Sequence, residues 1–271
     1  MDVAVADMSD RTIEELVSLG GRSAVVTGAG RGIGYAIARR FIEAGAEVIV
    51  ADVDRERASE AVSSLDTDRA HPAGVDVTDR RSIAALADLA VALAGGIDIW
   101  VNNAGIYPDN ALFDIDDDQW DRVLDVNLRG TYLGAREAAS RMIARRTGGV
   151  VISISTAPAY VREGAPHYVA SKLGVVALTR RMAAELGAHG IRVLALAPTV
   201  ILTPGMEESA EQGGWQLGDL AEQMSRELPL GRAGVPDDVA RVALFCASDL
   251  AAFMTGCELR VDAGDKHGGQ T

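Results

Sequence analysis

Short apolar runs alternate with longer segments of helical periodicity along most of the chain. Runs rich in Val and Ile that lack polar alternation are typical of strands buried on both faces of a parallel sheet. Ala70–Asp76 is a weak run of this kind, and six are stronger: Ser23–Thr27, Glu47–Asp52, Ile97–Asn102, Gly149–Ser155, Ile191–Pro198 and Cys257–Val261. The pattern therefore predicts about seven strands.

Helical periodicity fills the intervals between these runs. The predicted helices are Gly32–Ala44, Arg55–Leu65, Asp79–Ala94, Asp118–Arg145, Ala165–Ala188 and Pro236–Ser248. Alternation of strand and helix is typical of parallel sheets with right-handed crossovers. We therefore predict an α/β fold, a single-domain Rossmann-like doubly wound parallel sheet with helices on both faces. Asn127 and Gly130 interrupt the fourth predicted helix, which is therefore expected to be either kinked or split at this point.

The domain organisation is predicted to be simple, because no linker or repeat divides residues 21–271. Residues 1–20 precede the first strand as an N-terminal extension, in which Asp10–Leu19 could form a short helix. Residues 204–230, the lid segment, break the strand–helix rhythm with several glycines and Pro229. This segment is either a mobile lid or a plain surface excursion, and long loops often carry function.

Composition excludes several classes of function. The formal net charge of −13 argues against a nucleic-acid partner, because phosphate binding needs a basic face. Cys246 and Cys257 form no C-x-x-C pair, and the four histidines show no ligand spacing, so no metal is predicted. The sequence has neither an 18-residue apolar run nor a secretory signal, which predicts a cytoplasmic protein without membrane contact.

A glycine-rich loop follows the first predicted strand and opens the first long helix. It reads Thr27-Gly28-Ala29-Gly30-Arg31-Gly32-Ile33-Gly34. Glycine lets the backbone turn tightly and approach a pyrophosphate, while the helix N-terminus offers free N–H groups and partial positive charge. Turn chemistry alone is the alternative, but the strand–loop–helix context favours dinucleotide binding.

The second strand ends in an acidic residue that can discriminate between two forms of a dinucleotide cofactor. Asp52 lies 18 residues after Gly34, where a carboxylate can accept hydrogen bonds from both ribose hydroxyls of an adenosine. The same charge would repel a 2′-phosphate, so NAD is predicted over NADP. Arg31 is the counter-argument, since a basic residue in the loop could meet that phosphate. The alternative role for Asp52 is to stabilise the N-terminus of helix Arg55–Leu65.

Tyr168 and Lys172 stand four residues apart in a predicted helix, with Ser155 thirteen residues before the tyrosine. Residues i and i+4 share one helix face, so the ammonium is expected near the phenol. A nearby positive charge favours phenolate and should lower the tyrosine pKa. The pair predicts a proton donor and acceptor for redox chemistry.

At this point the chain resembles the short-chain dehydrogenase/reductase family in its compact, single-domain form, from about Ser23 to Gly264. Any one matching piece is weak, whereas the set in the family's order is specific. The pieces are Thr27-Gly28-x-x-x-Gly32-x-Gly34, Asp76, Asn102-Asn103-Ala104-Gly105, Asn127, Ser155, Tyr168-x-x-x-Lys172, Pro198 with Thr203, and Val261-Asp262-Ala263-Gly264.

The resemblance implies a role for each catalytic position. Ser155 and Tyr168 would hydrogen-bond the substrate oxygen, and Tyr168 would exchange its proton. Lys172 would lower the tyrosine pKa and hold the nicotinamide ribose, while Asn127 would anchor a water in a proton relay.

The resemblance also implies a cofactor site. Asp76 and Val77 would border the adenine, Asn103 and Gly105 would shape the floor beside the ribose, and Ile201 and Thr203 would clamp the carboxamide. The remaining implied cofactor contacts are Gly28, Arg31, Gly32, Ile33, Gly34, Asp52, Tyr168, Lys172 and Pro198.

Two positions depart from the family pattern. Thr199 replaces the usual glycine after Pro198, so its side chain is expected to narrow the nicotinamide space or tilt the ring. Leu194 replaces a common asparagine and is expected to change only packing.

The sequence thus predicts an NAD-dependent oxidoreductase that interconverts a secondary alcohol and a ketone. The expected substrate pocket is mostly apolar, which favours a cyclic or hydrophobic alcohol; it comprises Tyr107, Pro108, Ala157, Tyr160, Val200, Met206 and Trp215. The alternatives are an NADPH-dependent 3-oxoacyl-thioester ketoreductase and a catalytically silent NAD-sensing regulator. The resemblance further implies a homotetramer, with Asp118–Arg145 and Ala165–Ala188 at subunit contacts.

Overall fold

A computed structural model describes residues 7–157 and 164–265 of the chain. These residues form a parallel sheet in the order β3-β2-β1-β4-β5-β6-β7. The strands are β1 Ser23–Thr27, β2 Glu47–Asp52, β3 Ala70–Gly74, β4 Ile99–Asn102, β5 Gly149–Ile154, β6 Ile191–Pro198 and β7 Glu258–Val261. The doubly wound Rossmann-like fold expected from the sequence is confirmed.

Helices cover both faces of this sheet. Their bounds are α1 Ile13–Val17, α2 Gly32–Glu43, α3 Arg55–Leu65, α4 Arg80–Ala94, α5 Asp117–Leu124, α6 Gly130–Arg145, α7 Pro166–Leu186, α8 Pro204–Gly213, α9 Leu217–Glu227 and α10 Pro236–Ala247. Local chemistry sets several of their starts. The carboxylates of Asp54, Asp79 and Asp116 accept hydrogen bonds from first-turn N–H groups and so cap α3, α4 and α5.

The core lies in two layers, one on each side of the sheet. Successive side chains of a strand point to opposite faces, so Val26 of β1 packs with the layer that includes Phe41 of α2 and Val239 of α10. Val25 packs with the opposite layer, which includes Leu86 of α4. All five β1 residues are buried, which explains the unbroken apolar run in the sequence.

The fourth predicted helix is split. α5 and α6 are separated by a π-helical turn over residues 125–129, which contains the buried Asn127. Such turns are rare and frequently mark functional sites.

The lid segment contains two helices, α8 and α9, that the broken sequence rhythm did not predict. Leu217, Leu220 and Met224 lie on one face of α9, but none of its described residues is fully buried, so this face does not enter the core. Whether the segment moves stays a prediction.

Across the described ranges, no helix combines the length and hydropathy needed to span a bilayer. Within the same residues, no group of three or more potential metal ligands is found.

Candidate active site

The strand order reverses between β1 and β4, and this opens a crevice at the carboxyl ends of the two strands. Ligands bind parallel sheets at such points, because the loops that leave the neighbouring strands diverge there. Thr27 ends β1, Asn102 ends β4 and Ile154 ends β5. The glycine loop, Asn103 and Ser155 follow these three ends directly.

The glycine loop has a backbone that requires glycine. Gly28 and Gly32 have φ angles of 62° and 61°, which disfavour any side chain. A Cβ on Gly28 would lie 2.8 Å from Cα of Ala104, and one on Gly34 would lie 2.4 Å from the Gly28 carbonyl oxygen. Arg31 makes no side-chain cap on α2. The backbone can therefore approach a ligand closely, and the first amides of α2 are not engaged by a cap. Both features suit the binding of a dinucleotide pyrophosphate.

Asn103 supports this loop from below. Its Nδ2 donates to the carbonyl oxygens of Thr27 and Gly28, at 3.0 and 2.9 Å. The Thr27 hydroxyl accepts from the backbone N–H groups of Asn103 and Ala104, at 3.1 and 3.2 Å. The amide of Asn103 is thus engaged in holding the loop, and Thr27 has a supporting role that the sequence did not indicate.

Asp52 is buried at the end of β2 and faces the loop. Its Oδ2 accepts from the Gly30 N–H at 3.1 Å, and its Oδ1 accepts from the Asp54 N–H at 3.1 Å. Arg57 Nη1 lies 3.7 Å from the same Oδ1. The N-cap of α3 is Asp54, and the bond from the Asp54 N–H to Asp52 holds the turn into this helix, so the alternative role of Asp52 is also seen.

Asp76 and Val77 follow β3, the neighbour of β2 in the sheet. Asp76 Oδ1 accepts from the N–H and the hydroxyl of Thr78, at 2.8 and 2.7 Å, and so forms a turn. The Val77 side chain packs on Gly130, where a Cβ would come within 3.1 Å. Their contact with an adenine stays a prediction.

Arg31 joins the glycine loop to the lid segment. Its Nη1 donates to Oε1 of Glu208 on α8 in an ion pair. The pairing raises the pKa of Arg31 and lowers that of Glu208. Gly205 of the same helix faces Tyr107, because a Cβ there would lie 2.5 Å from the tyrosine oxygen. The first turn of α8 therefore sits directly over the loop.

The structure brings the four predicted catalytic residues together. Tyr168 and Lys172 lie one turn apart on α7, and the lysine Nζ is 5.8 Å from the centre of the phenol ring. Lys172 Nζ donates to the Ile154 carbonyl at 2.8 Å. The Ser155 hydroxyl is buried, and its oxygen is 3.5 Å from the Lys172 carbonyl oxygen.

Asn127 completes this group from the π-helical turn. Its Oδ1 accepts from the Ile106 N–H, and its Nδ2 donates to the Ile106 carbonyl, both at 2.9 Å. The same Nδ2 donates to the Ser171 hydroxyl at 3.2 Å. A Cβ on Gly105 would lie 3.2 Å from Asn127 Oδ1 and 3.5 Å from Lys172 Nζ, so glycine lets the two approach.

The expected lowering of the tyrosine pKa is not found. Burial raises the pKa of Tyr168 to about 12, a hydrogen bond from Thr156 opposes this, and Tyr107 raises it slightly further. Lys172 is not among the causes of this shift. Its own burial lowers the pKa of its ammonium to about 8, so the amine is already neutral at the pH where the phenol ionises. Desolvation disfavours both charged forms and outweighs the attraction that the i, i+4 spacing suggested.

Thr156, like Thr27, has a role at this site that the sequence did not indicate. Its hydroxyl donates a hydrogen bond to the phenol oxygen of Tyr168, which lowers the phenol pKa, and its oxygen lies 3.3 Å from the Pro198 carbonyl oxygen. The contact was not predictable from spacing, although Thr156 directly follows the predicted Ser155. Thr156 therefore connects the phenol to the end of β6.

The nicotinamide end of the predicted site starts at that strand end. The Ile201 side chain packs on Gly234, where a Cβ would lie 2.3 Å from Ile201 Cδ1. Thr203 caps α8, since its hydroxyl accepts from the Met206 N–H at 3.2 Å. The Thr199 hydroxyl donates to Asp265 Oδ2 at 2.6 Å and is thus directed to the C-terminal segment. Leu194 is buried in the core, as expected.

The predicted substrate pocket is assembled only in part. Ala157 is buried after Thr156, Val200 is half-buried after β6, and Tyr107 is 47% exposed beneath α8. Tyr160 lies outside the described residues. Trp215 lines a depression of about 350 Å³ whose walls all come from residues 207–218. None of the catalytic residues contributes to these walls.

The chain is similar to known proteins over most of its length. A family model described as enoyl-(acyl carrier protein) reductase matches residues 28–265. A 3β-hydroxysteroid dehydrogenase of Eggerthella lenta is 38% identical over 253 residues, covering 91% of this chain and 94% of its own. A 3-oxoacyl-[acyl-carrier-protein] reductase of Thermotoga maritima is 36% identical over 248 residues, covering 91% and 98%.

A solved structure agrees with these matches. The crystal structure of a short-chain type dehydrogenase/reductase from Mycobacterium marinum superposes with a TM-score of 0.86 at 33% identity. The match covers 94% of this chain and 99% of the other.

Proposed function

The chain belongs to the short-chain dehydrogenase/reductase family, and we propose that it is an NAD-dependent oxidoreductase that interconverts a secondary alcohol and a ketone. Members of this family typically use NAD(P)(H). The observation that carries the proposal is the grouping of Tyr168, Lys172 and Ser155 with Asn127, at the same sheet edge as the glycine loop.

Each side chain of this group has a defined task in the proposed reaction. Bound nicotinamide accepts or supplies the hydride. The phenol oxygen of Tyr168 takes the hydroxyl proton during oxidation and returns it during reduction. The Ser155 hydroxyl donates to the same substrate oxygen and stabilises charge that develops there. Lys172, protonated below its pKa of about 8, places positive charge beside the phenol.

The charges around Asp52 support NAD over NADP. The carboxylate faces Gly30, where an adenosine ribose would lie, and would repel a 2′-phosphate. Both nearby arginines are already paired: Arg31 with Glu208, and Arg57 with Asp52 and Asp54. A phosphate would therefore have to compete with carboxylates for these cations.

The preference for a cyclic or hydrophobic alcohol rests on two supports. Ala157 lies two residues after Ser155, and Val200 lies two residues after Pro198, whose carbonyl oxygen is 3.3 Å from the Thr156 hydroxyl; both positions are apolar. The relative from Eggerthella lenta carries the name of a hydroxysteroid dehydrogenase, which implies a polycyclic alcohol.

A second candidate is an NADPH-dependent ketoreductase of 3-oxoacyl thioesters. It is favoured by the similarity to the reductase of Thermotoga maritima. The acidic character of the lid segment disfavours it, because Glu207, Glu208 and Glu211 would repel the phosphate of a carrier-bound thioester.

A panel of secondary alcohols, ketones and acetoacetyl thioesters tests the proposal. Absorbance at 340 nm reports turnover, with NAD(H) and NADP(H) run in parallel. We expect the highest kcat/KM for a cyclic or hydrophobic alcohol with NAD. Faster turnover of the thioester with NADPH would establish the second candidate. Binding of NAD without turnover of any compound would support the silent regulator.

We also propose a homotetramer. Apolar side chains are exposed on the helices predicted to form subunit contacts: Trp120 on α5, Tyr132 on α6 and Leu173 on α7, each 40–44% exposed. Burying such side chains between subunits would remove apolar surface from water.

A further inference from the structure

A cluster of five charged side chains lies at and near Gly30, where the proposed cofactor would place its adenosine ribose; Asp52 and Arg57 lie directly against this glycine. Three are carboxylates and two are guanidinium groups: Asp52, Asp54, Glu208, Arg31 and Arg57. Asp52, Asp54 and Arg57 come from β2 and the start of α3, and Arg31 comes from the glycine loop. Glu208 alone among these five comes from the lid segment, more than 150 residues away in sequence.

Glu208 is positioned to act on both cations of this cluster. It forms the ion pair with Arg31, and Arg57 lies close enough to lower its pKa electrostatically. The Asp52 carboxylate also attracts the Arg31 guanidinium. The pair is accessible, with side-chain exposures of 34% for Arg31 and 53% for Glu208, so a ligand can reach it.

A 2′-phosphate is the group that this arrangement would exclude. It carries close to two negative charges and binds best to a guanidinium whose donors are free. Glu208 engages Arg31 and adds negative charge at the same place. An unphosphorylated ribose loses nothing by this, because its hydroxyls need only an acceptor such as Asp52.

We propose that Glu208 is a specificity-determining residue for the cofactor: by pairing with Arg31 it withholds that cation from a 2′-phosphate. Preference for NAD then depends on two carboxylates, Asp52 at the end of β2 and Glu208 on α8. The inference rests on the proposed dinucleotide site and adds the lid segment to it.

Binding of two cofactor fragments tests this assignment without any turnover. ADP-ribose and 2′-phospho-ADP-ribose are titrated by calorimetry into the intact protein and its Glu208→Gln variant. We expect the variant to bind the phosphorylated fragment about tenfold more tightly, on the scale of one charge-assisted hydrogen bond. Affinity for ADP-ribose should stay within about twofold, because no contact to the ribose hydroxyls changes.

Glu207→Gln is the matched control, since it removes the same charge from the adjacent position, which faces another direction on α8. The double variant Arg31→Gln, Glu208→Gln should lose the gain. The proposal is overturned if Glu207→Gln and Glu208→Gln change the affinity for 2′-phospho-ADP-ribose equally. It is also overturned if the double variant keeps the tighter binding of this fragment without Arg31. If the unaltered protein binds no ADP-ribose, the dinucleotide site itself is wrong and this inference fails with it.

Discussion

At the scale of single residues, burial rather than the lysine dominates the proton chemistry. Lys172 is buried and Tyr168 is half-buried, and desolvation moves their pKa values to about 8 and about 12. Thr156 supplies the hydrogen bond that lowers the tyrosine pKa. The phenol is therefore protonated at neutral pH in the free protein, ready to donate to a ketone oxygen.

Thr156→Val should make alcohol oxidation more dependent on alkaline pH. Oxidation needs a phenolate, and loss of the threonine hydroxyl removes the hydrogen bond that lowers the Tyr168 pKa. The pKa of Tyr168 then rises further from its ordinary value, so kcat/KM should fall about three- to tenfold across pH 7–10, on the scale of one hydrogen bond. The measurement is the pH profile of kcat/KM, which reports the free enzyme.

Thr156→Ser keeps the hydroxyl and should retain the profile of the unaltered protein. Superimposable profiles for the valine variant and the unaltered protein would show that Thr156 has no part in setting the phenol pKa.

At the scale of elements, the β1–loop–α2 unit depends on glycines with no space for a side chain. Gly34→Ala should weaken NAD binding at least tenfold, because the new Cβ would lie 2.4 Å from the Gly28 carbonyl oxygen and displace the loop. NAD affinity is measured by calorimetry or fluorescence titration.

Gly187→Ala is the control for this variant. Gly187 has helical φ and ψ angles, and a Cβ there would meet nothing within 4 Å. Its NAD affinity should not change. Equal affinity in both alanine variants would mean that the loop does not contact the cofactor.

The elements also show what a sequence pattern can predict. The observed bounds of β1, β2, β6 and α3 are identical to the predicted ones, because buried apolar runs and an N-cap aspartate are local signals in the sequence. α9 was missed although Leu217, Leu220 and Met224 recur at helical spacing, because the glycines and the proline around it interrupt the strand–helix rhythm.

Contacts between distant segments are beyond such patterns. The pairing of Arg31 with Glu208, and of Thr156 with Tyr168, depends on how side chains point after the chain has folded. The four catalytic positions were predicted because they lie in a family motif, whereas their protonation depends on burial, which only the structure gives.

At the scale of the whole molecule, two apolar layers fix the sheet and leave its carboxyl edge open for the site. The outer faces of α5, α6 and α7 still expose large apolar side chains. A protein with a net charge of −13 repels its own copies at long range, so subunit contacts need such short-range apolar burial.

Leu173→Glu should dissociate the proposed tetramer. Leu173 is 40% exposed on α7, and a carboxylate there would be buried without a partner between subunits. Sedimentation should show the unaltered protein near four times 28.4 kDa and the variant as a smaller species. Leu93→Glu on α4, with 48% exposure, is the control and should leave the mass unchanged. A monomeric unaltered protein would contradict the proposed assembly.

The central claim is that the phenol of Tyr168 moves the proton during NAD-dependent alcohol oxidation. The most direct test compares kcat of Tyr168→Phe and of Tyr132→Phe, an exposed tyrosine on α6, with the best alcohol of the panel. We predict a loss of about 10²–10⁴-fold for Tyr168→Phe with NAD affinity retained, and no loss for Tyr132→Phe. Turnover of Tyr168→Phe at the rate of the unaltered enzyme would contradict the account.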